Sequence, residues 1–423
     1  MPKRAPAQTD ELRLTALLGD FRLLVVLFIA LRVLLLLAYQ PFLIDGSEHG
    51  VGVQGDRAYH YALSELSAQG QLPFRDWWSE FPPVWYFLTT AVYQLQGANA
   101  NYSGWSMLLG LLMVGFDTGN LILIRKIGTR LHGAGTGMSL AWIYAVLGAP
   151  LIFLWWNFET LVTFWLLLGL WWLLQAQPTR SAVAAAIGAL TKFTPALLFG
   201  AAFRFRDLPV ALRYVGVSVG IFVLAYIPLL AQNAAMTLPS LTAQFSKSSY
   251  ETVWALLDGN YRTGNFGDLA SHFDPAQASV PTGNPARVPG FLRLGIAAAV
   301  GLFVYARTRR FDDRGLVAFV GLTLLIFFLQ AQGWSPQWLV QIIPLVLLAF
   351  PSRNGLYVIV LLSLVTFAEY PFLFIRTGDS GGEITGALMM PFVVLVLART
   401  SLLIGLCVAL YQRLRQEPVP ART

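Results

Sequence analysis

The chain has 423 residues, of which 56% are apolar and only 12% charged, and 29 Lys and Arg against 22 Asp and Glu leave it at +7. Soluble domains carry about 25% charged residues, so the composition excludes a soluble enzyme, a disordered chain and a coiled coil. The single cysteine, Cys407, excludes a disulfide framework, a cysteine-based zinc site and an iron–sulfur cluster. His49, His60, His132 and His272 are scattered, with no H-E-x-x-H spacing. What remains is an all-α polytopic membrane protein.

In chain order, apolar runs of membrane-helix character cover 22–43, 104–124, 135–155, 160–176, 214–232, 290–306, 315–331, 337–350, 355–372 and 386–408. Two shorter or interrupted pieces, 83–97 and 182–203, bring the expectation to roughly 11–13 transmembrane helices. The first run follows Lys3, Arg4, Arg13 and Arg22 and is long, without an A-x-A-like cleavage site after it, so it reads as a retained helix. Basic residues gather on alternate loops: Arg125, Lys126 and Arg130; Arg204, Arg206 and Arg213; Arg307, Arg309, Arg310 and Arg314; Arg353; Arg413 and Arg415. The positive-inside rule makes these loops cytoplasmic, together with both termini. The organisation expected is a cytoplasmic segment 1–21, one transmembrane domain 22–408 with outer loops 44–82 and 233–289, and a cytoplasmic tail 409–423. A third, shorter outer loop covers 371–385. One inconsistency follows from the charges. If 44–82 is outside and 125–130 inside, an odd number of crossings must separate them, yet 83–97 and 104–124 are two apolar segments; the first could be re-entrant or interfacial. The basic clusters are small and sit at membrane edges, so no nucleic-acid partner is expected. A Walker motif is absent.

The first outer loop is the most informative stretch. Tyr59, Leu63 and Leu66 recur at helical spacing, Asp56 stands at the helix start and Gly70 at its stop. Such an amphipathic helix is expected to lie flat on the membrane surface. Pro73, Trp77 and Trp78 follow at interface level, and Glu80-Phe81-Pro82-Pro83 makes a rigid entry to the next segment. Read in isolation, Asp56 is a helix cap and the tryptophans an interfacial belt. Asp45, nearer the preceding helix end, is the rival acid, with Asp45-Gly46 reading as a turn.

These features in this order resemble the GT-C class of integral-membrane glycosyltransferases, which take sugars from polyprenyl-phosphate carriers. The residues carrying the resemblance are Asp56, Tyr59, Gly70, Pro73 with Phe74, and Glu80-Phe81-Pro82-Pro83. It continues in Trp156-Asn157-Phe158-Glu159, in Leu190-Thr191-Lys192-Phe193-Thr194-Pro195 and in Trp334-Ser335-Pro336-Gln337-Trp338, and it spans about 20–350. It implies a GT-C-like helix arrangement with amphipathic surface helices in the first outer loop. It further implies a hexosyltransferase, mannosyltransferase-like; the absence of eukaryotic retention signals points to a prokaryotic plasma membrane. The donor would be a polyprenyl-phosphate-linked sugar, with membrane lipids around it and an acceptor (lipid, glycan or protein) that the sequence leaves open. No organic cofactor is expected. A clean Asp-x-Asp pair is missing, so a divalent metal is not indicated.

The chemistry needs a base near the acceptor and positive charge near the departing phosphate. Asp56 matches the family position for the base of an inverting displacement. Lys192 interrupts an apolar stretch, where charge is costly, and the following Pro195 breaks the helix; it is assigned to the carrier phosphate, the alternative being a snorkelling lysine. Arg57 is a second phosphate candidate. Glu159, at a helix edge, could orient the acceptor or help hold a metal; its plain reading is a solvated loop acid. Tyr59, Glu80 and Gln337 complete the candidates from the motifs. In the second outer loop Tyr250, Glu251 and Arg262 suit a sugar face, hydroxyls or phosphate, against a plain reading as interfacial anchors. The stretch 271–289, rich in Pro, Gly, Ala and Ser, reads as a flexible lid or linker. Asp117 falls inside a helix with Asn120 one turn on and is expected to pair with a Lys or Arg of a neighbouring helix. A transporter or lipid flippase, and a non-catalytic subunit of a cell-envelope complex, are the competing readings. A transporter would show internal repeats and paired broken helices, whereas here one break, at Lys192–Pro195, accompanies polar residues gathered in outer loops.

Overall fold

A computed structural model describes residues 14–44, 47–49, 55–153, 157–264, 268–281, 283–377 and 381–416. Lys3, Arg4, Arg13, Asp45, Gly46 and Trp156 lie outside the described residues. Asp20 separates α1 (Leu14–Gly19) from α2 (Phe21–Ala38), its carboxylate accepting from the Arg22 and Leu23 N–H groups at 2.8 and 3.2 Å. A two-stranded hairpin, β1 (Phe42–Ile44) with β2 (Ser47–His49), precedes α3 (Gly55–Glu65). Then come α4 (Pro83–Gln94), α5 (Tyr102–His132), α6 (Ala134–Val146), α7 (Gly148–Ile152), α8 (Glu159–Leu174), α9 (Pro178–Ala189) and α10 (Leu198–Phe205). The kinked α11 (Leu208–Thr237) leads to α12 (Pro239–Ser246) and α13 (Val253–Asp258) in the second loop. The chain finishes with α14 (Gly290–Arg307), α15 (Asp313–Gln330), α16 (Leu339–Ala349), α17 (Arg353–Phe367), α18 (Phe374–Thr377) and α19 (Met389–Arg415).

Among the described residues, 7 helical stretches are long and apolar enough to cross a membrane: Phe21–Ala38, Tyr102–His132, Leu208–Ser246, Gly290–Arg307, Asp313–Gln330, Arg353–Thr377 and Gly386–Arg415. The protein is a helical, multi-pass membrane protein. The remaining apolar segments run in shorter pieces, α6 with α7, α8, α9 and α10 separated at Lys192, and α16. Every residue of α16 is buried. It is wrapped by protein, so its short length exposes no backbone to lipid. In contrast, α2, α11 and α14 present rows of exposed Leu, Ile, Val and Phe, the surface a lipid solvent calls for.

The crossing inconsistency resolves at α4. Its 12 residues reach about 18 Å, well short of the roughly 30 Å of a bilayer core. It packs back on α3 and stays at the same end of the bundle, leaving α5 as the crossing between 44–82 and 125–130.

Contacts define two ends. At one, arginines cap helix carbonyls: Arg314 donates to Leu131 O at 2.8 Å, Arg204 to Thr308 O at 2.7 Å, Arg413 to Ala349 O and Arg206 to Leu173 O. His132 Nε2 lies 2.8 Å from Leu348 O, and Arg130 pairs with Asp313 at 2.7 Å. The charge clusters therefore also satisfy the orphan carbonyls that every helix C-terminus leaves. The other end holds an aromatic cluster of Tyr61, Trp77, Trp85, Tyr86, Tyr93, Tyr102, Trp105 and Phe158. There the apolar face of α3 packs through Leu63 and Leu66, so it meets protein where the sequence suggested lipid. The aromatic rings of α4 and α5 supply the apolar surface. Trp77 and Trp78 are buried too, not an interfacial belt.

Between the ends, Asp117 on α5 accepts from Arg32 Nε of α2 at 2.7 Å and from the Tyr144 hydroxyl of α6 at 2.5 Å. This is the structural pairing expected for it. Arg32 also lies over the Phe28 ring, 3.3 Å from its centroid. Removing one partner of a buried pair strands the other charge. Arg32→Met is expected to cost on the order of 3–5 kcal/mol, seen as a lowered thermal midpoint in detergent, and adding Asp117→Asn should recover most of the loss.

Candidate functional site

The site lies at the aromatic end, where the first and second loops meet. Asp56 sits in the first turn of α3, where a carboxylate meets the positive end of the helix dipole. The helix is followed by a 3₁₀ turn, Leu66–Gln69, and stops at Gly70 with φ 76°, the left-handed conformation that favours glycine. The half-buried Asp56 acts electrostatically on Tyr59, Tyr86, Lys247, Tyr250 and Glu251. Those groups come from three stretches of chain, so Asp56 is a centre of the arrangement.

Around it the loops are stitched together. Trp78 donates its indole N–H to Ser271 O and Asp274 O, each at 2.9 Å, and its backbone N–H to His272 O at 2.9 Å. His272 Nδ1 lies 2.7 Å from Trp78 O, which makes Nδ1 the donor and leaves Nε2 to accept from the Tyr59 hydroxyl. Burial lowers the His272 pKa, in keeping with a neutral ring. His60, edge-on to Trp85, is driven to about 3, chiefly by burial. The stretch expected to be a flexible linker is thus partly bound. Asn284 N–H reaches Asn260 Oδ1 at 2.7 Å, and Arg287 N–H reaches Asp258 Oδ1 at 2.7 Å.

Glu80 is buried and accepts from Gln244 Nε2 at 3.2 Å and from Lys247. Lys247, just past the end of α12, has no motif to mark it in the sequence. Burial pulls its pKa down to about 7, with Asp56 opposing. Tyr250 fits between two glycines: a Cβ at Gly333 would stand 2.2 Å from its ring, and one at Gly264 2.6 Å. Its backbone bridges to 332–334, donating to Gln332 O at 3.2 Å and accepting from Trp334 N–H at 3.1 Å. Burial, then Glu251, Asp56 and Glu159, push its hydroxyl up to about 12. Glu251 follows at φ 52° and is fully buried.

A second polar knot lies across Tyr250. Lys192, in the break between α9 and α10, pairs with Glu159. The other Glu159 oxygen accepts from Gln341, whose carbonyl accepts from the Thr194 hydroxyl at 2.9 Å. Asn157 Oδ1 receives the Glu159 N–H at 2.9 Å. The ammonium of Lys192 stands 4.8 Å from the Trp338 ring centroid and 5.4 Å from that of Phe158. Lys192 and Glu159 were expected separately, on phosphate and acceptor; the structure joins them. Gln337 lies half-buried in a 3₁₀ turn, and the glutamine that reaches Glu159 is Gln341. Arg57 is buried, with Nε 3.0 Å from the Tyr102 hydroxyl. Arg262 joins the third loop, bridging backbone-to-backbone with Glu383. Among the described residues no three His, Cys, Asp or Glu side chains gather as a metal would need.

Lys247 supplies the test of this geometry. Its reactivity toward an amine-selective reagent should titrate near 7, about three units below an ordinary lysine. With the folded pKa depressed, the unfolded chain binds more protons above pH 7, so this group adds stability as pH rises from about 7 toward the ordinary lysine range. Peptide mapping of the modified protein across pH reads the midpoint; a midpoint near 10 would remove Lys247 from the enclosed site.

No protein-family model matches the chain, and neither does any curated protein. In a comparison with solved structures the chain is similar to ArnT from Cupriavidus metallidurans in the apo state, at 14% identity over 92% of this chain and 77% of that one, with a TM-score of 0.47. The same protein bound to undecaprenyl phosphate gives 14% identity, the same coverage and a TM-score of 0.43. An oligosaccharyltransferase from Archaeoglobus fulgidus gives 11% identity over 94% of this chain, which spans 56% of that enzyme, with a TM-score of 0.42.

Proposed function

We propose that the chain transfers a hexose from a polyprenyl-phosphate carrier to an acceptor hydroxyl at the outer edge of the membrane. The observation that carries the reading is the setting of Asp56. This half-buried carboxylate lies within the field of the Lys247 ammonium at the junction of two loops, at the bundle end opposite the arginine clusters. The order of motifs from Asp56 to Gln337 supports the same class. By the positive-inside rule the arginine end is cytoplasmic with both termini, and the site faces outward across a prokaryotic plasma membrane.

In the reaction the acceptor oxygen attacks the anomeric carbon while Asp56 takes its proton. The bond from that carbon to the phosphate oxygen breaks on the opposite face, its electrons leave with the polyprenyl phosphate, and the configuration inverts. Lys247 faces the charge that grows on the phosphate. It takes the part the sequence suggested for Lys192, because Lys247 lies in the field of Asp56 and keeps 26% of its side chain exposed, against 10% for Lys192 in its pair with Glu159. Glu80 holds Lys247 in place.

Transfer from a panel of radiolabelled polyprenyl-phosphate hexoses, the mannosyl donor first, is measured in proteoliposomes for the native chain, Asp56→Asn and Lys247→Met. Native transfer with at least a 100-fold loss in Asp56→Asn is expected, and a smaller loss in Lys247→Met. Equal transfer by native and Asp56→Asn would move the base elsewhere. No transfer from any donor to lipid, glycan or peptide acceptors would favour a transporter or a non-catalytic subunit.

A further inference from the structure

Glu251 departs from the pattern of the other buried acids. Its side chain is fully buried, and neither carboxylate oxygen has a hydrogen-bond partner. The Gly264 N–H faces it without reaching hydrogen-bonding geometry. The cation that acts on it, Arg399 on α19, is already used: it pairs with Glu369 and donates to the backbone carbonyl of Glu251 itself. Arg399 also lies over the Trp334 ring, 4.5 Å from the centroid. The residue is held at φ 52°, a left-handed conformation that is strained for a non-glycine residue. The chain thus maintains both a strained backbone and two unmatched hydrogen-bonding atoms one residue from Tyr250, within the field of Asp56. Packing alone would be better served by an apolar side chain, since an unmatched buried polar group is destabilising.

We propose that Glu251 hydrogen-bonds a hydroxyl of the sugar on the lipid donor and so orients the anomeric carbon toward Asp56. This rests on the reading of the protein as a polyprenyl-phosphate-dependent transferase. The groups facing Glu251 are Glu369 from the segment after α17, Arg399 from α19, Asp56 from α3 and the neighbouring Tyr250. The guanidinium pairs with the Glu369 carboxylate and meets only the backbone of Glu251, and burial with the Glu369 charge holds the Glu251 carboxyl well above the usual range. It works as a neutral acid, one donor and one acceptor, matched to a hydroxyl that is also both. Because the side chain is fully buried, contact with the donor requires the 250–251 segment to move. Glu251 is a positioning residue and exchanges no proton in the step.

The test compares native chain, Glu251→Gln and Glu251→Ala with the intact donor and its deoxy analogues, together with the infrared carbonyl band of a protonated carboxyl. Glutamine keeps a donor and an acceptor, so Glu251→Gln should stay within about threefold of native kcat/KM, and Glu251→Ala should lose about tenfold. One deoxy analogue should cost the native chain that same factor and cost Glu251→Ala nothing further. The infrared band should vanish in Glu251→Gln and shift on addition of donor lipid. The proposal is overturned by an equal response of Glu251→Ala to every analogue, by a Glu251→Gln loss as large as that of Glu251→Ala, or by a band that no donor lipid perturbs. If no hexose is transferred at all, the transferase reading fails, and the band's response to donor lipid still decides whether Glu251 meets the sugar.

Discussion

A charge inside an apolar bundle must be matched on the spot, and that requirement organises this molecule. Moving a carboxylate or ammonium from water into protein costs several kcal/mol even after relaxation, and a partner at contact distance offsets it. Four pairs obey the rule at different depths: Arg32 with Asp117, Lys192 with Glu159, Arg399 with Glu369, and Lys247 with Glu80. Each joins elements that sequence order keeps apart, so each also fixes how helices or loops register. The Lys192 pair ties the α9–α10 break to the start of α8. The Arg399 pair ties α19 to the segment after α17 and, through the Glu251 carbonyl, to the second loop.

The site inherits its shape from these ties. Gln332 accepts from Tyr250 N–H and from the Thr252 hydroxyl, and its amide donates to Gln244 O at 2.6 Å. Trp78 holds the 271–274 turn, and Asn233, where α11 leaves helical geometry, donates to Arg75 O at 2.8 Å. Loops that are separate in sequence become one polar layer over the aromatic cluster. Within that layer the place of the Tyr250 ring is set on both sides, by Gly264 and Gly333.

Much of this was legible in the residues. The helical segments follow the apolar runs because length and hydropathy decide them, and α3 with its Gly70 stop follows from spacing and cap chemistry. The pairing of Asp117 was readable because an acid in the middle of a helix has few other options. What stayed hidden depends on distance in the chain. Lys192 looked like an isolated intramembrane cation because Glu159 lies 33 positions away, and Gln341 was concealed by Gln337 because a 3₁₀ turn precedes α16 and changes which glutamine faces inward. Lys247 carries no signal, being one lysine among serines; only the folding of α12 against Glu80 encloses it. Trp77 and Trp78 misled for the opposite reason, since the preference of tryptophan for interfaces is overridden when aromatic partners surround it.

The two acids nearest Tyr250 show how environment, not residue type, assigns roles. Asp56 is half-buried, sits at a helix N-terminus and faces a lysine; the helix end and the lysine favour the carboxylate, and the partial burial opposes it. Glu251 is sealed and faces a second carboxylate that has already claimed the arginine; both favour the neutral acid. In the reading proposed above, the acid in the field of the lysine takes the proton of an incoming hydroxyl, and the sealed acid matches a hydroxyl that stays on the sugar. The strained backbone at Glu251 keeps the second acid beside the first, although every local preference of the chain would turn it away.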